Sequence, residues 1–203
     1  MKNKLISSLI DMGICSSDSL HIIHPRTRDN NNLNVLKCAK SGLIVLEEVL
    51  INEDYYVQAE KRGSTIAAGK KINPQHLEDD QRRFEAHKKY LENKEVLDFG
   101  CGIGGFLQLS DTISKNSVGF ELNQEHVEII NNLKIKCVSS FEDLYGKYMF
   151  DTITLNHVLE HIEDPFEILS NLKTLLKDNG TIIIEVPHAR DILLETFNLE
   201  DFK

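Results

Sequence analysis

The spacing of apolar residues changes near residue 95. Before it, apolar positions come in short, scattered groups. Residues 1–50 read as irregular and β-like, with one apolar piece at Leu20, Ile22 and Ile23. A stronger one runs through Val35, Leu36 and then Leu43 to Leu46, with a turn marked by Ser41-Gly42. The polar run from Thr27 to Asn34 is a loop by composition. Residues 76–92 are rich in helix formers and carry Leu77, Phe84 and Leu91 seven apart, which predicts one helical face.

From residue 95 strands and helices alternate. The pattern predicts a strand over 96–99 stopped by glycines, a helix over 105–115 and a strand over 117–122. A helix over 124–133 and strands over 135–138 and 150–155 follow. Asp164-Pro165 is a helix start, with Asp as N-cap and Pro at the first helical position. That helix is expected to run to about Lys177, with Phe166, Leu169, Leu172, Leu175 and Leu176 inward, and to stop at Asn179-Gly180. A β-branched strand over 181–186 comes next, and 191–203 is helix-like. Such alternation implies an α/β fold: a Rossmann-like, doubly wound, mainly parallel sheet. Ligands in these sheets bind at strand carboxyl ends, at a topological switch point.

Composition narrows the function. The 203 residues suit one domain with an appendage. No apolar run approaches the roughly 18–20 residues that cross a bilayer. Asp11 interrupts the N-terminal apolar stretch before it reaches signal-peptide length. The cysteines, Cys15, Cys38, Cys101 and Cys137, form no C-x-x-C pair, which predicts reduced thiols, no metal and a cytoplasmic protein. The net charge of −9 is uneven: residues 1–94 carry +2 and residues 95–203 carry −11. An acidic half repels a phosphate backbone, so duplex nucleic acid is excluded there as a partner.

The chemistry concentrates in Asp98-Phe99-Gly100-Cys101-Gly102-Ile103-Gly104-Gly105. Gly100, Gly102 and Gly105 satisfy G-x-G-x-x-G between a strand and a helix, and Glu121 stands near the spacing of a ribose-binding acid. Two ligands fit: a dinucleotide with its pyrophosphate on the helix N-terminus, or S-adenosylmethionine. Asp98 separates them, because a carboxylate at the mouth opposes a pyrophosphate and favours a cation.

Asp98, the glycines, Glu121 and the stretch from Phe150 through His157-Val158-Leu159-Glu160-His161 to Asp164-Pro165 together resemble class I S-adenosylmethionine-dependent methyltransferases. The likeness covers residues 95–188. It is to the branch of ubiquinone-biosynthesis O-methyltransferases and bacterial sugar methyltransferases. The resemblance implies that Gly100, Cys101, Gly102 and Gly104 form the loop on the cofactor. Asp98 then orients the ammonium, Glu121 accepts the ribose hydroxyls and Leu122 packs on adenine. Ser140 and Phe141 flank the adenine, although Phe141 reads equally as a core aromatic. Asn156 and His157 line the methionine side. His161 and His188 are the candidate general bases, with His161 equally readable as a packed loop residue. The other histidines, His21, His24, His76, His87 and His126, are read as solvated. His157, Glu160 and His161 also match H-x-x-E-H, but a metal reading needs a continuous helix where the pattern predicts a strand end. The implied reaction is methylation of a hydroxyl or amine on a small-molecule acceptor, a sugar or nucleotide-linked sugar of surface-glycan synthesis. Two alternatives stand beside it: a catalytically weak cofactor-binding protein, and an NAD-dependent oxidoreductase or epimerase.

Two departures from the family pattern matter. Residues 35–45 resemble the end of a small zinc module with Ser41 where a cysteine would stand. Residues 1–75 are therefore expected to be a β-rich cap without zinc, and 76–203 the cofactor-binding domain. Tyr55 and Tyr56 resemble an aromatic pair that follows the module. The residues after Val186 do not read as a strand pair, so the last two strands of the family sheet are expected to be missing, with an uncovered edge and a homodimer through it. Arg82-Arg83, Lys61-Arg62, Lys70-Lys71 and Lys88-Lys89 are solvated faces or, if functional, hold an anionic acceptor.

Overall fold

The computed structural model describes residues 3–27, 30–48 and 74–188. Tyr55, Tyr56, Lys61-Arg62, Lys70-Lys71 and residues 191–203 lie outside the described residues. The chain forms two compact units. One holds the described residues before 49 with 162–165 and 187–188; the other holds 74–161 and 166–186.

The first unit opens with a helix, α1 (Lys4–Asp11), where the sequence reading expected irregular and β-like chain. Leu5, Ile6, Leu9 and Ile10 recur at helical spacing, but only Leu9 is buried, so the short stripe is easily passed over. Asn3 caps it, its side-chain oxygen accepting from the Leu5 N–H at 2.9 Å. Three antiparallel strands follow in the order β1 (Leu20–His24), β2 (Val35–Cys38), β3 (Ile44–Leu46). The β2–β3 turn falls at Ser41-Gly42 as expected, with the Gly42 N–H donating to the Cys38 carbonyl at 2.8 Å.

The second unit begins with α2 (Pro74–Leu91). Phe84 and Leu91 are buried in its packed face, but Leu77 is exposed and does not share it. Then come β4 (Glu95–Phe99), α3 (Gly105–Asp111), β5 (Asn116–Phe120), α4 (Gln124–Asn132), β6 (Lys136–Val138), β7 (Phe150–Asn156), α5 (Pro165–Thr174) and β8 (Leu176–Glu185). The five strands pair in parallel in the order β6-β5-β4-β7-β8. Strand order reverses between β4 and β7, and that is the switch point the sequence directed attention to. Val96, Leu97, Val118, Ile153 and Leu155 are fully buried, as strands covered on both faces require.

Several local expectations are corrected. α3 ends at Asp111, short of 115, where the Thr112 hydroxyl bonds the Leu109 carbonyl at 2.6 Å. α5 ends at Thr174, and β8 begins at Leu176. Its register jumps from Phe150↔Leu176 to Thr152↔Thr181, so residues 177–180 bulge out. Asn179, at φ 62°, turns the chain inside this bulge instead of ending a helix. His126, read as solvated, is buried on α4 beside Val127 and Ile130. His87 is half-buried, and desolvation lowers its pKa.

Candidate cofactor site and the chemistry at the switch point

β4 carries Asp98 to the switch point, in register with Gly119 on β5 and Thr154 on β7. The Asp98 side chain is buried at 3% exposure. The Thr154 hydroxyl donates to its Oδ1 at 2.8 Å, and Asn156 Nδ2 lies 3.5 Å from the same oxygen. Burial pushes the Asp98 carboxyl up to about 7, and the nearby charge of Asp80 adds to that; Thr154, Arg83 and Asn156 pull the other way.

The glycine loop leaves β4 and folds back on β5, with the Gly100 and Cys101 N–H groups both donating to the Phe120 carbonyl at 2.8 and 3.1 Å. Gly100 is left-handed at φ 73°, and a Cβ there would strike the Val158 side chain. Gly102 is left-handed at φ 54°, yet a Cβ there would meet nothing within 4 Å. The first glycine is needed for packing and the second opens a space. Gly104, at φ 81°, caps α3.

β5 ends at Phe120, so Glu121 and Leu122 stand just past it and not inside a strand. Glu121 Oε2 accepts from the Gly102 N–H at 2.8 Å, and its Oε1 accepts from the Asn123 N–H at 2.9 Å. The carboxylate is thus held against the loop, and an ionised carboxylate accepts about four hydrogen bonds. Leu122 is exposed. Ser140 caps the short turn Phe141–Asp143, and its hydroxyl also bonds the Glu142 carboxylate. Phe141 is half-buried: its ring lies 5.1 Å from Phe120, 5.8 Å from Phe99 and 5.6 Å from Tyr145.

The end of β7 carries the second cluster. His157 adopts φ 55°, rare for a residue with a side chain. Its N–H donates to the Glu185 carbonyl at 2.8 Å. Its Nδ1 lies 3.3 Å from Glu160 Oε1 and its Nε2 3.4 Å from Glu185 Oε1. His161 Nε2 is 3.8 Å from that same Glu160 oxygen, and desolvation lowers the His161 pKa. Leu159–His161 is a single 3₁₀ turn, not a continuous helix, and among the described residues no cluster of three or more His, Cys, Asp or Glu side chains is arranged to hold a metal ion. His188 is exposed and belongs to the first unit.

Sequence reasoning missed what anchors this cluster. Arg82 grips Glu185 through both its terminal nitrogens, at 3.1 and 2.8 Å. Arg83 Nε donates to Glu185 at 2.9 Å, and its Nη1 donates to Asp80 at 3.2 Å. Desolvation pushes Glu185 up, but the two arginines outweigh it and hold the carboxyl at about 2. The charge of Arg82 and Arg83 is therefore met by Glu185, Asp79 and Asp80, not held out for an anionic acceptor. The signals were faint: an Arg-Arg pair on a helix, and a Glu at a strand carboxyl end. Glu185→Gln keeps the shape but removes the charge that pairs two guanidinium groups. The expected cost is about 1.5–3 kcal/mol, the range for a hydrogen bond to a charged group. Denaturant unfolding measures it, and an unchanged midpoint would show that the clamp contributes nothing.

A family described as methyltransferase domain matches residues 69–202. The chain belongs to this family. A ubiquinone biosynthesis O-methyltransferase of Rickettsia bellii is 28% identical over 122 residues, 56% of this chain and 50% of that protein. The enzyme of the same name from Rickettsia akari is 30% identical over 122 residues, 56% of this chain and 49% of that protein. The chain thus spans about half the length of the curated relatives it matches. A solved S-adenosylmethionine-dependent methyltransferase from Archaeoglobus fulgidus superimposes with a TM-score of 0.50 at 26% identity, covering 74% of this chain and 67% of that one. Family membership and the sheet order agree with the resemblance read from Asp98, the glycine loop and Glu121. Among the described residues no helix is long and apolar enough to cross a membrane.

Proposed function

We propose that the protein moves a methyl group from S-adenosylmethionine to a hydroxyl of a small-molecule acceptor. The observation that carries this reading is that Glu121 is bonded to the Gly102 N–H beside open space, on the loop that leaves β4 directly after the buried Asp98. The donor set suits the cofactor. Asp98 is an acceptor for an ammonium group, and the buried Asn156 Oδ1 beside it has no hydrogen-bond partner. Glu121 offers paired oxygens to a ribose diol, Leu122 an exposed apolar side chain, and Phe141 and Ser140 the edge beyond β6. A dinucleotide would bring its pyrophosphate toward Asp98, which disfavours the oxidoreductase alternative.

Bound there, the cofactor supplies an electrophilic methyl on a sulfonium. The chain's own task is to align the acceptor and take its proton. His161 suits the second role: desolvation keeps its imidazole neutral at neutral pH. A ring nitrogen takes the hydroxyl proton, and the Glu160 carboxylate, 3.8 Å from Nε2, stabilises the imidazolium formed. His157, fixed between Glu160 and Glu185, keeps that carboxylate in place. His188 remains the second candidate base on the strength of its position after β8.

Nothing in the arrangement singles out a sugar; the O-methyltransferase relatives favour a hydroxyl acceptor over an amine. The test is calorimetric titration with S-adenosylhomocysteine and with NAD, then a hydroxyl-acceptor panel read by release of S-adenosylhomocysteine. Tight binding of NAD alone would remove the proposal. His161→Ala is expected to lower turnover by about 10²–10⁴-fold with unchanged cofactor affinity. At saturating cofactor, the acidic limb of the wild-type kcat profile should fall below the ordinary histidine value, because a lowered pKa keeps the base form present at lower pH. Full turnover in both His161→Ala and His188→Ala would sink the histidine-base assignment.

A further inference from the structure

The first unit carries a feature unrelated to the cofactor site. Cys15, just after α1, and Cys38, at the end of β2, are both buried, and Ser41 borders both sulfurs. Around them stand two serines. The Ser19 hydroxyl is 3.2 Å from Cys38 Sγ, and the Ser41 N–H donates to the same sulfur at 3.4 Å. The Ser41 hydroxyl lies 3.6 Å from Cys15 Sγ. We propose that Cys15 and Cys38 are a redox-active thiol pair that closes to a disulfide and cross-links the end of α1 to the end of β2.

The two sulfurs have different roles. Contacts with Ser19 and with Ser41, whose backbone N–H donates to the sulfur, lower the Cys38 pKa to about 6, which makes it the nucleophile. Cys15 has its pKa raised by desolvation and stays a thiol, positioned to resolve. With hydrogen peroxide as the oxidant, the Cys38 thiolate attacks one peroxide oxygen. An S–O bond forms, the O–O bond breaks, and hydroxide leaves, which gives a sulfenic acid. Cys15 then attacks that sulfur. The S–S bond forms, the S–O bond breaks, and water departs with the Cys15 proton. Two thiols lose two electrons and one peroxide becomes two waters. A small oxidant suits sulfurs that are buried.

The molecule holds its own control. Cys101 and Cys137 lie with their sulfurs 3.8 Å apart under the glycine loop. There the hydrogen bond between the thiols, desolvation and the charges of Asp98 and Glu121 all push the Cys101 thiol up. Each pair is gathered in one cluster, and at Cys38 a backbone N–H donates to the sulfur and the pKa is lowered, whereas at Cys101 it is raised. A cross-link also has a use in the first unit. Its described core is small, Leu9, Leu33, Leu36 and Val45 with the two cysteines, and small cores gain most from a covalent staple.

The test treats the full chain with a few equivalents of hydrogen peroxide, alkylates the remaining thiols, digests it without reductant and reads the peptides by mass spectrometry. The expected product is a peptide pair joining Cys15 to Cys38, two hydrogens lighter than the reduced pair, formed well before any Cys101–Cys137 link. Dimedone should trap a sulfenic acid on Cys38 in Cys15→Ser. The oxidised wild type should melt at a higher temperature than the reduced one. No such linked peptide, or a Cys101–Cys137 link formed at the same rate, would overturn the proposal. So would zinc retained at one per chain and lost in Cys15→Ser, which would make the thiols metal ligands instead.

Discussion

Asp98→Asn is expected to abolish cofactor binding and, at pH 8, to raise the stability of the ligand-free protein. Both effects come from one buried carboxyl. Its pKa is raised from 3.8 to about 7, with desolvation the largest cause. Below pH 4 the folded and unfolded chains both hold the proton. Between about 4 and 7 the folded chain holds more, so stability falls as pH rises; above 7 the whole penalty is present. Three pKa units correspond to about 4 kcal/mol. Asparagine keeps an acceptor for the Thr154 hydroxyl without the charge, so its gain in Tm over wild type should be large at pH 8 and small at pH 4. Function runs the other way. A cationic ammonium beside a buried neutral amide loses its partner, and breaking such a pair costs about 3–5 kcal/mol. Affinity for S-adenosylhomocysteine should therefore fall by at least about 100-fold. In the wild type, binding must expel the Asp98 proton at low pH. Affinity should drop toward tenfold per unit below pH 7 and level off above it. Calorimetry from pH 5.5 to 8 measures this, and a flat profile with an unchanged Asp98→Asn affinity would mean that Asp98 is not the ammonium site.

The split between what was legible in the sequence and what was not follows from the range of the interactions. β4 to β7 could be read because each is a local run of apolar residues bounded by turn chemistry. The same local signal misled at Asn179-Gly180. That pair breaks a helix or turns a bulge equally well, and only pairing with β7 decides which. α1 escaped because just one of its four apolar residues is buried. Asp98, Gly102 and Glu121 were found because the glycine loop has a spacing, and the structure ties Gly102 to Glu121 by a hydrogen bond. The pairing of Arg82 and Arg83 with Glu185 was not found, since the partners stand about a hundred positions apart and no local pattern couples them. The raised pKa of Asp98 was equally out of reach: it depends on burial, which a single line of sequence does not display.

Gly100→Ala and Gly102→Ala should separate a glycine kept for the fold from one kept for the ligand. Both positions are left-handed, at φ 73° and 54°, which costs a residue with a Cβ about 1–2 kcal/mol. At Gly100 the new methyl also collides with Val158, just past β7, and overpacking of this kind costs about 1–3 kcal/mol more. Relief requires moving the His157–His161 segment or the loop itself. Gly100→Ala should therefore lower Tm by roughly 5–15 °C and take both cofactor affinity and turnover with it. At Gly102 the methyl meets nothing within 4 Å in the ligand-free protein, so only the backbone strain remains. Gly102→Ala should lose just a few degrees. It should nevertheless bind S-adenosylhomocysteine much more weakly, because the methyl enters the space the cofactor fills. Differential scanning calorimetry gives the first quantity and titration calorimetry the second. The decisive outcome is their order. If Gly102→Ala were the less stable variant and bound S-adenosylhomocysteine normally, the open space beside Gly102 would not be where the cofactor lies.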